Sequence, residues 1–433
     1  VDIKTKLGWR EMLRIIGLEL KLQLKAKKTI GIFLTGVIMS VLIAVLSINT
    51  ATSRNIILNE ENQVEYSSGK ISVDYLKKTQ KTYEGLLTEE KCVEIVEKYQ
   101  EILNEYDGRE ENIPHDIYAK EITPMIDILN VISYSFTTSY DGELDKNGTF
   151  PKDFQAEEAK AVYRERLKAL KKIWETKYVG REQISEKLES REENIRYPLY
   201  FANYSGWDSL QSNLALVLIP IIVLLSCLLT APVFSKHYEN DSDRVFRATR
   251  FGRHTLAMAR IMSSMILTIL LYIFTIGICI TICSFVFNRS GLKTSIQFID
   301  LFASSNLNIG QLVFITILGG LLATCTMAVF AICLSSAMKS SIVVLASSFF
   351  VIVVNMILNI FTSGNINDNM LYFIINTFSP YSAASLSSSI VSNAYAYVGN
   401  SIVWLPAASI FFTIVIIISG FGLCLKRYNN YQN

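Results

Sequence analysis

Residues 213–234, NLALVLIPIIVLLSCLLTAPVF, carry no charge, and after SKHYENDSDRVFRATRFGRHTLAMAR (235–260) comes a second uncharged run, IMSSMILTILLYIFTIGICITICSFVF (261–287). A helix needs about 20 mostly apolar residues to cross the hydrocarbon core, because backbone polar groups there find no water. Both runs meet that length, so the basic segment between them is a short loop at one membrane face. Working outward, the same criterion finds spans at 29–49, 311–335, 341–361 and 402–425. The expected fold is an all-α polytopic membrane protein with six transmembrane helices. Its remaining segments are 1–28, 50–212, 235–260, 288–310, 336–340, 362–401 and 426–433.

Composition agrees. Half of the 433 residues are hydrophobic and 18% are charged, against about 25% charged in ordinary soluble domains. Lysine and arginine set the orientation. Eight basic residues precede the first span and six lie in 235–260, with Lys339, Lys426 and Arg427 on the same side. Outside the large insert only Arg289 and Lys293 fall opposite. Both termini are therefore expected in the cytoplasm, and the chain is expected to be multi-pass in the plasma membrane. The first apolar run is full length, follows about 28 residues and has no small-residue cleavage site after it, so it reads as a span rather than a signal peptide.

The segment from about Arg54 to Asp208 holds 31 acidic and 22 basic side chains, a net charge of −9 that the whole-chain value of +2 conceals. Topology places it outside the cell, and at roughly 155 residues it is long enough to bury a core. TEEKCVEIVEKYQEILNEYDG (88–108) reads as an amphipathic helix capped by Thr88 and stopped by Gly108. A second helix is expected over 156–177, and MIDILNVISYSF (125–136) fits a buried helix or strand. The domain is expected to be mainly helical. Cys92 is its lone cysteine, so it has no internal disulfide. Cys279 and Cys283, four apart in a span with no other soft ligand near, read as packing residues rather than a metal pair.

Trp9, Met12, Leu13, Ile16, Leu20 and Leu24 recur at helical spacing with basic residues offset from them. Such a helix suits the inner headgroup layer, or packing on other cytoplasmic protein. Residues 369–401 are uncharged but broken by Ser, Asn, Gly and Pro380. They fit short helices dipping back from the outer face, or a plain loop.

The sequence lacks a G-x-x-x-x-G-K-[ST] phosphate loop, H-E-x-x-H, G-x-S-x-G and any Cys/His cluster at zinc spacing. His115, His237 and His254 are scattered, and the spans hold no Asp, Glu, Lys, Arg or His. This disfavours an enzyme and a self-powered, ion-coupled carrier, and the charge balance gives no reason to expect nucleic acid as a partner. Asn355 and Asn359, four apart in the fifth span, either line a substrate path or hydrogen-bond between helices.

Six spans, no motor and a basic loop between spans two and three resemble the permease of a type-2 ATP-binding-cassette (ABC) exporter. The segment from Trp9 to Lys28 is similar to that family's elbow helix. Phe234 and Glu239 stand where the family has an aromatic and a glutamate. Thr249, Arg250, Phe251, Gly252 and Arg253, then Arg260, resemble its entry to span three, and SPYSAASL around Pro380 resembles its short external helices. The likeness covers about two thirds of the chain. Where the family has a glycine after the glutamate, this chain has Asn240 to Asp243.

The resemblance implies a bacterial ABC exporter subunit without its own ATPase site and without a cofactor, ATP-Mg being bound by a separate ATPase subunit. It implies a homologous permease as homo- or heterodimer partner, and an ATPase-coupling helix carrying Glu239, Arg244, Arg247, Arg250, Phe251, Arg253 and His254. The helical spacing of Arg244, Arg247, Phe251 and His254 suggests one rigid rod. With no fixed charge in the spans, the expected cargo is amphipathic or lipophilic, such as a peptide antibiotic. A sodium-efflux permease is the nearest alternative. A membrane-anchored immunity or sensor protein that binds an external peptide without transport is another. An extracellular peptide or accessory protein and the lipid bilayer complete the expected partners.

Overall fold

The computed structural model describes residues 2–52, 55–59, 63–139, 141–178, 182–249, 252–362, 370–398 and 401–430. Its first helix, α1 (Asp2–Lys25), ends where Ala26 turns extended (φ −67°, ψ 126°), and α2 (Lys27–Thr50) carries the first apolar run. The expected amphipathic helix is present, but its apolar face divides. Ile16 is buried and Leu20 half-buried, whereas Leu13 is 61% exposed. The Trp9 side chain lies outside the described residues. Part of the helix therefore packs on the protein itself, along the third spanning helix, and only part is left for a headgroup layer.

The insert opens with the hairpin β1 (Asn55–Leu58) and β2 (Val64–Ser67), then α3 (Lys70–Thr79), β3 (Gly85–Leu86) and α4 (Glu89–Glu105). Thr88 caps α4 by accepting from the Lys91 amide at 3.3 Å, as its sequence predicts. The ambiguous apolar run is a helix, α5 (Ile126–Thr137). The next expected helix begins as a 3₁₀ turn over Ala156–Ala161 and continues as α6 (Val162–Lys177), followed by α7 (Glu182–Glu192) and β4 (Tyr200–Phe201), which pairs with β3. A core of Tyr99, Ile128, Phe150, Phe154 and Phe201 closes between them, with Phe150 and Phe154 stacked at 4.6 Å.

The remaining long helices are α8 (Ser205–Glu239), α10 (His254–Val286), α11 (Ile309–Ser335), α12 (Ser341–Thr362) and α15 (Leu405–Asn430), with α9 (Ser242–Ala248) between α8 and α10. With α2 they make six helices long and apolar enough to cross a membrane, so the protein is mostly helical and membrane-embedded. Asn308 and Gln311 form a reciprocal capping box that starts α11. Helix α11 sits centrally, against α8, α10, α12 and α15. Gly320 permits that approach: a Cβ there would lie 2.5 Å from the Tyr272 hydroxyl and from Ile219. Two prolines shape α8. Pro220 has no amide to donate and crowds the preceding turn, and there the helix widens to a π turn over Leu214–Leu218. At Pro232 the ladder breaks, and Ser335 of α11 repairs it, donating to the Ala231 carbonyl (2.6 Å) and accepting from the Phe234 and Ser235 amides (both 3.0 Å).

Two expectations change on the insert side of the bundle. The segment 288–310 is no separate loop; it completes the insert. Thr294 and Ser295 bond the backbone of Ala202 and Tyr200 at 3.0 Å, and Phe298 enters the insert core. Residues 402–404 are not part of the last span. They belong to β6 (Ser401–Trp404), which pairs with β5 (Tyr395–Val398), and the helix begins only at Leu405. Alternating Tyr395, Tyr397, Ile402 and Trp404 turn one face of this hairpin onto Leu170, Trp174, Ile184 and Leu188 of α6 and α7. Between α12 and the hairpin lie α13 (Met370–Phe378), a 3₁₀ turn over Ser382–Ser385 and α14 (Leu386–Val391). Ala383 and Leu386 rest on Gly319, ten residues inside α11, a depth of about 15 Å along that helix. This placement is compatible with short re-entrant helices.

Candidate functional site

At the termini end of the bundle, the connection from α8 to α10 is tied to three other helices. Glu239 closes α8, and its Oε1 accepts from the Ser341 amide at 2.8 Å, so a carboxylate caps the N-terminus of α12. Ser235 and Ser341 share a 2.8 Å hydroxyl contact, and the Tyr238 hydroxyl donates to the Ser336 carbonyl at 3.4 Å. The turn that follows takes the chain through Asp241 in the left-handed region (φ 50°, ψ 14°). Aspartate tolerates that conformation better than most residues.

Helix α9 starts at Ser242 and stops at Ala248, because Thr249 turns extended. Gly252 follows in close contact: an added Cβ would stand 1.6 Å from the Phe246 carbonyl oxygen. The expected single rod through His254 is therefore two pieces, α9 and the start of α10. Arg250 and Phe251 lie outside the described residues. Arg244, Arg253 and His254 are exposed, and Arg244 stands 3.8 Å from Asp241. Arg247 points inward instead. Its guanidinium lies 4.6 Å over the Tyr428 ring, 3.6 Å from Asp243, and donates to the Tyr238 hydroxyl at 3.4 Å. Tyr428, near the end of α15, also stacks on Phe234 at 4.8 Å and donates to the Gly252 carbonyl at 3.2 Å. It is thus the hub of this region, and its place beyond the last apolar run gave no sign of that in the sequence.

A second candidate site opens near the other end of the bundle. A groove of about 470 Å³ runs between α8 (Gln211, Ala215, Leu216), α12 (Asn355, Met356, Asn359) and the short helices around Tyr381 and Ser385. The two expected asparagines meet here. Asn359 Nδ2 donates to Asn355 Oδ1 at 2.9 Å, Asn376 Nδ2 donates to Asn359 Oδ1 at 2.7 Å, and Ser385 donates to Asn376 Oδ1 at 2.7 Å. Asn355 is 4% exposed, and its Nδ2 has no hydrogen-bond partner among the described residues. Asn359 bonds across to Asn376 of the neighbouring short helix, and both asparagines of the pair line the groove. Gln211, Asn376 and Ser385 carry no distinguishing signal in the sequence, because they are neutral polar residues in stretches that hold other Ser and Asn residues. The groove offers neutral donors and acceptors on a mostly apolar wall, which suits binding rather than proton transfer or hydrolysis. Among the described residues no group of three His, Cys, Asp or Glu side chains is placed to hold a metal.

The chain matches no protein-family model, no curated protein and no solved structure.

Proposed function

We propose that the chain is the membrane permease subunit of a bacterial ABC exporter of the type-2 class. Its termini lie in the cytoplasm and its insert lies outside. A separate ATPase binds ATP-Mg, and a second permease, identical or homologous, completes the path. The observation that carries this reading is the tying of the α8–α10 connection to its neighbours, α8 to α12 through Glu239 and α9 to α8 and α15 through Arg247, with Tyr428 holding Gly252 and with Arg244, Arg253 and His254 left outward. A push on the outward face would move four spanning helices together, and such coupled movement is what shifts populations between two states of a bundle. The groove at Asn355 is the proposed binding place for an amphipathic cargo, with apolar contacts supplying affinity and the neutral amides supplying orientation.

Gentle solubilisation of tagged protein from its native membrane is expected to bring down a P-loop ATPase subunit, and its absence overturns the reading. Reversing charge at Arg244 and Arg253 should weaken capture about tenfold or more, a change of about 1.4 kcal/mol, with folding intact. Undiminished capture would count against this face as the contact.

A further inference from the structure

A second cleft, of about 430 Å³, lies between the elbow helix and the termini ends of α2, α8 and α10. Lys28, Lys236 and Arg260 line it. Arg260 is 3% exposed, sits 4.8 Å over the Phe246 ring, and approaches Glu19 through Nε at 3.4 Å. Its Nη1 has no hydrogen-bond partner among the described residues. A charged N–H left buried without an acceptor is unfavourable, so the site has a donor to spare. Lys28 and Lys236 are near enough to feel each other's charge. The cleft also contains Glu19 and Glu239, but the first faces Arg260 and the second caps α12. Leu228, Leu229 and Val233 of α8 form its apolar wall.

Three cations beside an apolar wall, where three membrane-spanning helices end, match a phosphate joined to hydrocarbon. We propose that this cleft binds the phosphate of an anionic phospholipid headgroup, held by Lys28, Lys236 and the free Nη1 of Arg260, with an acyl chain along Leu228 and Val233. Arginine and lysine are the usual phosphate ligands, and a desolvated guanidinium donor is the strongest of them. Bound there, the lipid would fix the elbow helix against α10, beside the Gln23 to Ser263 hydrogen bond of 3.1 Å. The inference requires only that the six apolar helices be membrane-embedded and is independent of any transport activity.

The test is thermal unfolding of the full chain in detergent with added phosphatidylglycerol, phosphatidylcholine or millimolar inorganic phosphate, together with native mass spectrometry of lipid carried through purification. Phosphatidylglycerol should raise the midpoint and remain bound, and phosphatidylcholine should do neither. The rim variant K28Q/K236Q should lose at least half of that rise, and R260Q all of it. If R260Q fails to fold, the rim variant alone decides. Equal shifts with the two lipids, or a rim variant that keeps the full rise, overturn the proposal. Protection by inorganic phosphate with no preference for phosphatidylglycerol overturns the lipid and assigns the cleft to a soluble phosphate.

Discussion

Asp127 stands at the joint between insert and bundle, where it lines a cavity with Asp208, Thr50 and Ser209. Burial raises its pKa above the ordinary 3.8, and a hydrogen bond from Gln80 Nε2 at 3.1 Å only partly opposes that. The folded state therefore holds the Asp127 proton more tightly than the unfolded chain does. Stability contributed by this group is fully present below about pH 3.8 and is lost as pH rises through the raised folded value. At neutral pH the charged form is a liability. Asp127→Asn keeps an acceptor for Gln80 and removes the charge, so it should raise the melting midpoint at pH 7, with the gain fading below about pH 4. Melting curves across that range check it, and a gain that does not change with pH would show that charge is not the cause. Single residues of this kind are the least legible in sequence. Asn355 and Asn359 announce themselves because they are amides inside an uncharged span, whereas Asp127 is one acid among 31 in the insert. Only the fold shows that it faces another carboxylate.

At the scale of elements, legibility followed the strength of the local pattern. The six apolar helices and the Thr88-capped α4 carry signals that tertiary context rarely overrides, namely length without charge, and a cap before an amphipathic stripe. The hairpin β5–β6 carries the opposite case. Its alternation over Tyr395–Val398 and Ser401–Trp404 runs straight into the apolar start of α15, and hydropathy merges the two. The break between α9 and α10 is hidden from the sequence for a related reason. Basic residues at three- to four-residue spacing imply one helix, but Gly252 marks a contact that no periodicity reports. Gly252→Ala tests that contact. Its Cβ would overlap the Phe246 carbonyl, a backbone atom that cannot rotate away, so the turn must open at a cost of roughly 1–3 kcal/mol. The variant should melt lower, and under the proposed function it should lose ATPase capture more severely than its stability loss explains, because Tyr428 loses its bond to the Gly252 carbonyl. A wild-type midpoint with wild-type capture would mean that the turn yields freely.

At the scale of the whole molecule, the insert is a composite of three chain segments. Its main part spans 55–204, the segment 289–308 supplies Phe298 to its core, and the hairpin covers α6 and α7, with Arg191 4.5 Å over the Trp404 ring. Arg166 shows how closely the parts depend on one another. It is 3% exposed, pairs with buried Glu192, receives no help from solvent, and donates its Nη2 to the Leu301 and Ala303 carbonyls at 3.0 and 3.2 Å. Without the segment from between α10 and α11, that charge keeps, among the described residues, only the hydrogen bonds to Glu192 and Tyr197. Charged hydrogen bonds are worth about 1.5–3 kcal/mol each, so a soluble fragment of residues 55–204 should be less stable by about 3 kcal/mol or more than the same fragment with 288–308 joined by a flexible linker. Urea unfolding of the two, followed by tryptophan fluorescence, measures the difference. Equal midpoints would show that the main segment closes its own core, and the insert would then ride on the bundle instead of gripping it. A large difference means that movement of α10 against α11 must be felt in the insert, because the segment joining those two helices is part of its core.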